Sequence, residues 1–227
     1  MPAKVTADYS QFPESIRTVM PYLEGEVMQL RTLWGLFENL FVGNQARQQH
    51  FRERLGPLLI VFRQLMQNEL VLSIARLTDR KEHGGQENLT LQSLMPAVDS
   101  AQAPEFGSRV TDALEAIKGS VKNIRKHRDK LIAHFDLATS LDPSSLPKVF
   151  VKDVRPILER MEAFLNLFNV EFRKVPIEFD NLSSDPIVGS AQLTVHKAMA
   201  YDILQRQRKI PLGEVERIIE SQERQGS

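Results

Sequence analysis

The residues of this chain that are best suited to chemistry lie in one short stretch, RKHRDKLIAHFD, at positions 125 to 136. It contains Arg128 and His134, which five residues separate. A histidine exchanges a proton near neutral pH, and an arginine stabilises negative charge that builds on phosphate oxygens. The pair therefore suits phosphodiester chemistry, with His134 as the acid or base and Arg128 as the charge-stabilising group.

The spacing of Arg128 and His134 constrains how the two could act together. On an ideal α-helix, six steps of about 100° leave the side chains about 120° apart, so they do not share one face. Either the helix ends at the histidine, or two copies of the chain bring their pairs to one cleft. A plainer interpretation also stays open, in which Arg128 makes surface ion pairs and His134 caps a helix C-terminus.

Other charged residues could support this pair. Asp136 closes the stretch, and Arg76 and Asp79 end a second predicted helix that is otherwise apolar. One interpretation places Arg76 and Asp79 beside the pair, where Asp79 or Asp136 holds the arginine or the histidine in its working orientation. The other is a surface pair of Asp79 with Arg76 or Arg80, which contributes only about a few tenths of a kcal/mol.

Basic residues crowd the helix that carries the stretch. Residues 118–130 include one acidic residue, Asp129, and six basic residues. The basic residues are Lys118, Lys122, Arg125, Lys126, Arg128 and Lys130. The whole chain is neutral, with 29 basic and 29 acidic residues, which excludes a protein that coats nucleic acid through a general positive charge. The local stripe fits contact with an RNA backbone, or else a solvated helix face that complements the helix dipole.

The composition excludes several other classes of site. Without cysteine there is no disulfide, thiol nucleophile or Cys-ligated zinc. His127 and His134 would lie about 10 Å apart on a helix, which is too far for both to bind one metal ion. Gly84-Gly85 lacks the other residues of a phosphate-binding loop. We therefore expect no metal and no cofactor. The longest apolar run, 57–62, is shorter than the roughly 18 residues of a membrane span, and no secretory signal is visible. We therefore expect a cytoplasmic protein without a membrane segment.

Apolar residues at intervals of three and four predict an all-α fold. The main helices are expected near 15–42, 57–79, 104–133 and 151–172, with a short helix from Thr90 to Val98. Together they predict a bundle of four or five main helices within residues 1–175. Residues 176–227 are predicted to form an accessory helical extension, because the composition shifts at Pro176 and the later helices carry narrow apolar stripes. Such stripes must dock on the bundle, a dimer mate or another partner, and we favour the dimer mate.

The order of these segments resembles the HEPN superfamily, whose signature is an arginine, a polar residue directly after it and a histidine a few residues later. Closer still, the chain is similar to the AbiU-type HEPN family, named for an abortive-infection phage-resistance locus. The resemblance covers roughly residues 20 to 140 and is carried by Leu36-Phe37, Leu72–Asp79, Asn88–Leu91 and Arg128–Asp136. Two features depart from the family pattern: Asp129 stands where asparagine is more usual, and residues 176–227 match nothing in the core family.

This resemblance implies a homodimer in which the motif-bearing helices pair and no metal is used. His134 would deprotonate the ribose 2′-OH or protonate the leaving 5′-oxygen, Arg128 would stabilise the pentacovalent phosphate, and Asp129 would orient one of them. The substrate must be RNA, since DNA lacks the 2′-OH. The resemblance thus predicts a metal-independent endoribonuclease of a phage-defence or toxin–antitoxin system, with a cognate antitoxin or regulator. A non-catalytic HEPN module that binds RNA, a nucleotide or a protein, and a helical dimerisation scaffold, stay open as alternatives.

Overall fold

The computed structural model describes residues 8–42, 45–133 and 151–179, together with Lys197. Within these residues the regular structure is helical apart from one short two-stranded hairpin. The predicted all-α fold is confirmed, and the described part of the chain contains no sheet of three or more strands.

The first predicted helix is divided in the structure. Helix α1 spans Glu14–Arg17 and α2 spans Met20–Phe37, with Pro21 in the first turn of α2, where a missing N–H is tolerated. A π-helix, Glu38–Val42, continues α2. Apolar residues at intervals of three and four along this stretch lie in the core: Ile16, Met20, Leu23, Val27, Leu30, Trp34 and Phe37.

Helix α3 spans Gln45–Thr78 and bends at Gly56, which has φ 44° and ψ −122°. Only glycine adopts this conformation without strain, so the predicted break before Pro57 is a kink inside a longer helix. From Met66 onward α3 packs into the core, whereas the turns between the kink and Met66 expose Leu58, Phe62 and Leu65. By length and composition alone, Gly56–Thr78 could cross a membrane, although 33% of its most apolar window is buried in the fold.

The connection after α3 is a short hairpin around Gly84 and Gly85. Strands β1 (Glu82–His83) and β2 (Gln86–Glu87) pair antiparallel across Gly84 and Gly85, whose φ angles of 60° and 79° suit a two-residue hairpin turn. A 3₁₀ helix, Leu91–Ser100, then lies where the short helix was predicted.

The predicted helix 104–133 consists of three successive pieces. Helix α4 spans Phe106–Ser120, α5 spans Lys122–His127, and a π-helix covers Arg128–Ala133. The break falls where the Ser120 hydroxyl donates to the Ile117 carbonyl over 2.7 Å, which competes with the regular helix ladder. The apolar residues at intervals of three and four along these pieces are buried: Phe106, Val110, Leu114, Ile117, Val121 and Ile124.

Helix α6, Val151–Phe168, completes the bundle and ends in a π-helix, Asn169–Arg173. It packs against α2 and α4, while α3 packs against α2 and α5. Lys174, at φ 61°, then reverses the chain. The returning segment lies along α6, where Ile177 N–H donates to Asn166 Oδ1 over 2.7 Å, and Phe179 is buried. The first residues of the predicted extension thus lie on the bundle, and residues after 179, Lys197 apart, lie outside the described part.

A buried polar network links α2 with the end of α6 and the N-terminal segment. The Tyr9 hydroxyl donates to Glu24 Oε2 over 2.5 Å, and Asn169 Nδ2 donates to Glu24 Oε1 over 2.9 Å. Arg173 Nη1 in turn donates to Asn169 Oδ1 over 3.1 Å. Burial raises the pKa of Tyr9, and the hydrogen bond to Glu24 adds to that rise. The network satisfies a carboxylate and an amide that are almost completely buried.

Candidate functional site

Arg128 is the first residue of the π-helix that follows α5. Its side chain is 20% exposed, and two carboxylates hold its guanidinium. Nη1 lies 2.5 Å from Asp79 Oδ2, and Nε donates to Asp129 Oδ1 over 2.8 Å. Nη2 lies 2.7 Å from the same Asp129 oxygen. The arginine of the predicted pair is therefore fixed from two sides, by its neighbour in sequence and by a residue from another helix.

The second anchor, Asp79, follows directly after the last residue of α3. Thr78 closes that helix by donating its hydroxyl to the Ile74 carbonyl over 2.8 Å. The helix dipole disfavours a carboxylate at this end, so Asp79 needs cations from elsewhere. Two arginines one turn apart supply them, because Asp79 Oδ1 also lies 3.9 Å from Arg125 Nε. Asp79 thus joins the end of α3 to α5.

The charges of this cluster balance, since Arg125 and Arg128 face Asp79 and Asp129. Burial lowers the pKa of Arg128, but hydrogen bonds and charges from Asp129 and Asp79 outweigh it, and the net shift of this pKa is upward. Arg128 therefore stays charged at any physiological pH. Its contacts engage Nε, Nη1 and Nη2 once each, so each Nη keeps a second N–H that can donate to a phosphate oxygen.

The π-helix changes the geometry that an ideal helix implied for the motif. Residues 128–133 wind with more residues per turn than an α-helix, so the angle of about 120° no longer describes the motif. Single π-turns recur at functional sites. His134 and Asp136, the predicted acid–base residue and its supporting carboxylate, lie outside the described residues.

The predicted RNA-binding residues fall into two groups. Lys122, Lys126 and Lys130 are exposed along α5 and the π-helix. Arg125 is half-buried and faces Asp79. The lysines are thus placed for contact with a polyanion, whereas Arg125 belongs to the cluster around Arg128.

Arg76, the other predicted supporting residue, does not contact Arg128. Its Nη2 donates to Glu69 Oε1 and to Ser73 Oγ, each over 2.9 Å, so it pairs along α3 itself. Arg76 and Asp79 line a common cavity of about 310 Å³. In the described part of the chain, Asp79 pairs with neither Arg76 nor Arg80, so the surface pair that the sequence allowed is replaced by a contact between helices.

Two features of the site escaped the sequence interpretation. The first is the bridge from Asp79 to Arg125, for which the spacing of Arg125 and Arg128 was the available sign. The second is His127, whose Nδ1 is buried and has no hydrogen-bond partner among the described residues. Burial lowers the pKa of His127, so its neutral form is favoured in the folded protein.

The described residues contain no cluster of three histidine or acidic side chains that could hold a metal ion. This finding covers the described ranges alone, which exclude His134 and Asp136. The expectation that the protein uses neither a metal nor a cofactor therefore stays a prediction.

The helical bundle and an anchored motif arginine at a helix end define a class, the HEPN-type all-α domain. The AbiU2 family model, of the same HEPN type, matches residues 14–187, and the chain therefore belongs to this abortive-infection family. The resemblance noted in the sequence is confirmed, and the matched region is longer than the expected 20–140. It includes residues 176–187, so the expectation that the family match ends before Pro176 is wrong. Comparisons with curated proteins and with solved structures found no match.

Proposed function

We propose that this protein is a metal-independent endoribonuclease of an abortive-infection system, with Arg128 and His134 acting at a cleft between two copies of the chain. The observation that carries the proposal is the anchoring of Arg128 by Asp79 and Asp129, in a chain of the AbiU2 family. A guanidinium fixed on two sides keeps its remaining N–H groups in one direction. Preorganised stabilisation of a developing charge requires such fixed donors.

In the proposed reaction, His134 removes the proton of a ribose 2′-OH, and the 2′-oxygen attacks the adjacent phosphorus. The bond from phosphorus to the 5′-oxygen breaks, and that oxygen takes up a proton from a histidine or from water. Arg128 donates hydrogen bonds to the non-bridging oxygens while the phosphate is pentacovalent. Asp129 and Asp79 are positioning residues, because they act through Arg128. The products carry a 2′,3′-cyclic phosphate and a 5′-hydroxyl.

The proposal includes a homodimer whose interface contains the helix that ends near His134. Two motifs then share one cleft, and the exposed Lys122 and Lys126 of each copy provide positive charge for the RNA backbone, together with Lys130 on the π-helix. We expect light scattering to give twice the chain mass of 25.9 kDa at micromolar concentration. A particle of the chain mass would overturn this part of the proposal. A cytoplasmic location, where the substrate RNA is found, and a cognate antitoxin or regulator are further parts of it.

The test of the activity is incubation of purified protein with total RNA in EDTA. We expect cleavage that leaves 2′,3′-cyclic phosphate or 3′-phosphate ends, and a loss of about 10²–10⁴ in rate for His134→Ala and for Arg128→Ala. Arg109→Ala is the matched control, because Arg109 is exposed on α4, outside the cluster. Circular dichroism should show that all three variants are folded. Cleavage that requires magnesium, or that leaves 3′-hydroxyl ends, would refute the proposed chemistry.

The charge balance around Arg128 favours one second candidate, a non-catalytic HEPN module that binds RNA, a nucleotide or a partner protein. Asp79 and Asp129 neutralise Arg125 and Arg128, so Lys122 and Lys126, which are exposed on α5, supply the main attraction for phosphate. In this case neither the wild type nor His134→Ala cleaves RNA, and both bind it with equal affinity. That affinity should fall steeply with added salt.

A further inference from the structure

A cavity of about 310 Å³ lies directly beside the cluster around Arg128. Asp79 forms part of its wall and also holds the guanidinium of Arg128, so the cavity and the motif arginine are neighbours. The other residues that line the cavity are Glu26, Arg76, Leu77, Asn88 and Leu89. A nucleotide that is bound through its phosphate at Arg128 can therefore place its base in this cavity.

The cavity continues into a groove between α2 and α3. A second cavity, of about 490 Å³, is lined by residues of these two helices, and Glu26 and Arg76 line both cavities. Glu26 belongs to α2 and Arg76 to α3, and both side chains are exposed. A ligand at the junction of the two cavities thus meets a carboxylate from one helix and a guanidinium from the other.

The two polar groups differ in how the protein itself uses them. Arg76 Nη2 donates to Glu69 Oε1 and to Ser73 Oγ, each over 2.9 Å, and these contacts fix the guanidinium through one of its nitrogens. Glu26 forms no hydrogen bond and no ion pair with any residue of the ranges 8–42, 45–133 and 151–179. The junction therefore offers a fixed donor next to a carboxylate whose oxygens can both accept.

This combination matches one of the four RNA bases. Guanine presents two adjacent donors, N1–H and N2–H, to the two oxygens of a carboxylate, and its O6 and N7 are the acceptors that an arginine binds. Adenine, cytosine and uracil place an acceptor next to each donor on the same edge, so a carboxylate would face an acceptor. The carboxylates on its wall make the cavity unsuited to a phosphate but not to a neutral base, and Leu77 and Leu89 add apolar surface for the base.

We propose that this cavity binds a guanine of the RNA, next to the phosphate at Arg128. Glu26 accepts hydrogen bonds from N1–H and N2–H, and Arg76 donates to O6. Glu26 and Arg76 are specificity-determining residues, because they contact the base and not the reacting atoms. The proposal rests on the ribonuclease function proposed above, since it names the base that the enzyme selects.

RNA analogues that cannot be cleaved test the binding. The probes are fluorescein-labelled 2′-O-methyl pentanucleotides with two uridines on each side of a central guanine, adenine, cytosine or uracil, and the readout is fluorescence anisotropy. We expect the full wild-type chain to bind the guanine probe about tenfold more tightly than the other three. Glu26→Gln should reduce this preference to about twofold or less, since an amide cannot accept both hydrogen bonds.

The matched control is Glu159→Gln, because Glu159 is an exposed glutamate on α6, away from both cavities. It should keep the wild-type preference for guanine, and both glutamine variants should melt at the wild-type temperature. Equal affinity of the wild type for all four probes would overturn the proposal. An unchanged preference in Glu26→Gln, or the absence of binding to any probe, would overturn it as well.

A change in the base itself tests whether Glu26 contacts it. Hypoxanthine lacks the N2 amino group of guanine but keeps N1–H and O6. Exchange of guanine for hypoxanthine should weaken binding to the wild type by about threefold and leave the affinity of Glu26→Gln unchanged. An equal loss in both proteins would overturn the contact between Glu26 and the base.

The positions of the cuts separate this proposal from the ribonuclease function. In total RNA that is digested in EDTA, sequencing of the new ends should find guanosine on one fixed side of most cuts, and Glu26→Gln should lose this bias while cleavage continues. Cleavage without any base bias would overturn the guanine site and leave the ribonuclease function standing. Guanine-selective binding without cleavage would refute the ribonuclease function and support the guanine site.

Discussion

Replacing Asp79 by asparagine tests the contact that fixes Arg128. The change removes one charge from the junction of α3 and α5 and nearly preserves the shape of the side chain. Asp79 Oδ2 lies 2.5 Å from Arg128 Nη1, and the two side chains are 32% and 20% exposed. A hydrogen bond to a charged group contributes about 1.5–3 kcal/mol, whereas an exposed ion pair contributes about 0.2–1 kcal/mol. Because this pair lies between those limits, we expect Asp79→Asn to lower the free energy of unfolding by about 1–2 kcal/mol.

A double-mutant cycle separates this contact from other effects of the substitution. Urea denaturation, followed by circular dichroism, is measured for Asp79→Asn, Arg128→Gln and the combination. We expect a coupling energy of about 1 kcal/mol, since the two residues are in direct contact. The matched cycle uses Arg76→Gln, because Arg76 is close in sequence but bonds Glu69 and Ser73 instead. Its coupling to Asp79 should stay below about 0.3 kcal/mol. A coupling of that small size for Arg128 would refute the argument that Asp79 positions the motif arginine.

Three further predictions concern stability. Burial lowers the pKa of His127 below its ordinary value of 6.5, so the unfolded chain binds the proton first as the pH falls. The contribution of neutral His127 to the free energy of unfolding should therefore be fully present above that ordinary value and decline below it. His127→Gln should flatten this decline between about pH 7.5 and about pH 5, measured by urea denaturation at each pH. An unchanged slope of the unfolding free energy against pH would contradict this. Asn169→Ala should cost about 1–3 kcal/mol, because it removes the hydrogen bond to Glu24 Oε1 and leaves Tyr9 as the donor to this buried carboxylate. A thermal melt close to that of the wild type would count against the network. Gly56→Ala should lower the free energy of unfolding by about 1–3 kcal/mol. The whole effect is backbone strain, since a Cβ at this position meets nothing within 4 Å. An unchanged free energy in urea denaturation would show that the kink relaxes.

The helices could be predicted because their core-facing residues repeat at the period of an α-helix. Ile157, Met161 and Leu165 illustrate this, since they are spaced by four and all three are buried. The breaks could not be predicted in this way. The interruption at Val121 accompanies the hydrogen bond from the Ser120 hydroxyl to the Ile117 carbonyl, and the π-helix at Arg128 is a change of winding. Apolar spacing is insensitive to both.

Spacing also failed to show which apolar residues are covered. Leu58, Phe62 and Leu65 continue the series of Leu70 and Ile74 in the sequence, yet the first three are exposed and the last two are buried. A helix can carry two apolar faces, and its pattern records both without stating what lies against each. Which face the bundle uses depends on neighbouring helices that are distant in sequence.

The candidate site shows the same limit, and it suggests how a sequence can be interpreted more sharply. Arg76 and Asp79 had equal weight in the sequence, but only Asp79 reaches Arg128, 49 positions away. Arg76 lies in the last turn of α3 and finds its partners along that helix, whereas Asp79 lies just past the helix end. A carboxylate at that position faces the negative end of the helix dipole. An ion pair with an arginine on the surface of the same helix would leave the charge of this carboxylate poorly compensated. An acid directly after a helix C-terminus therefore favours a cation from another element, and here two arginines one turn apart met that requirement.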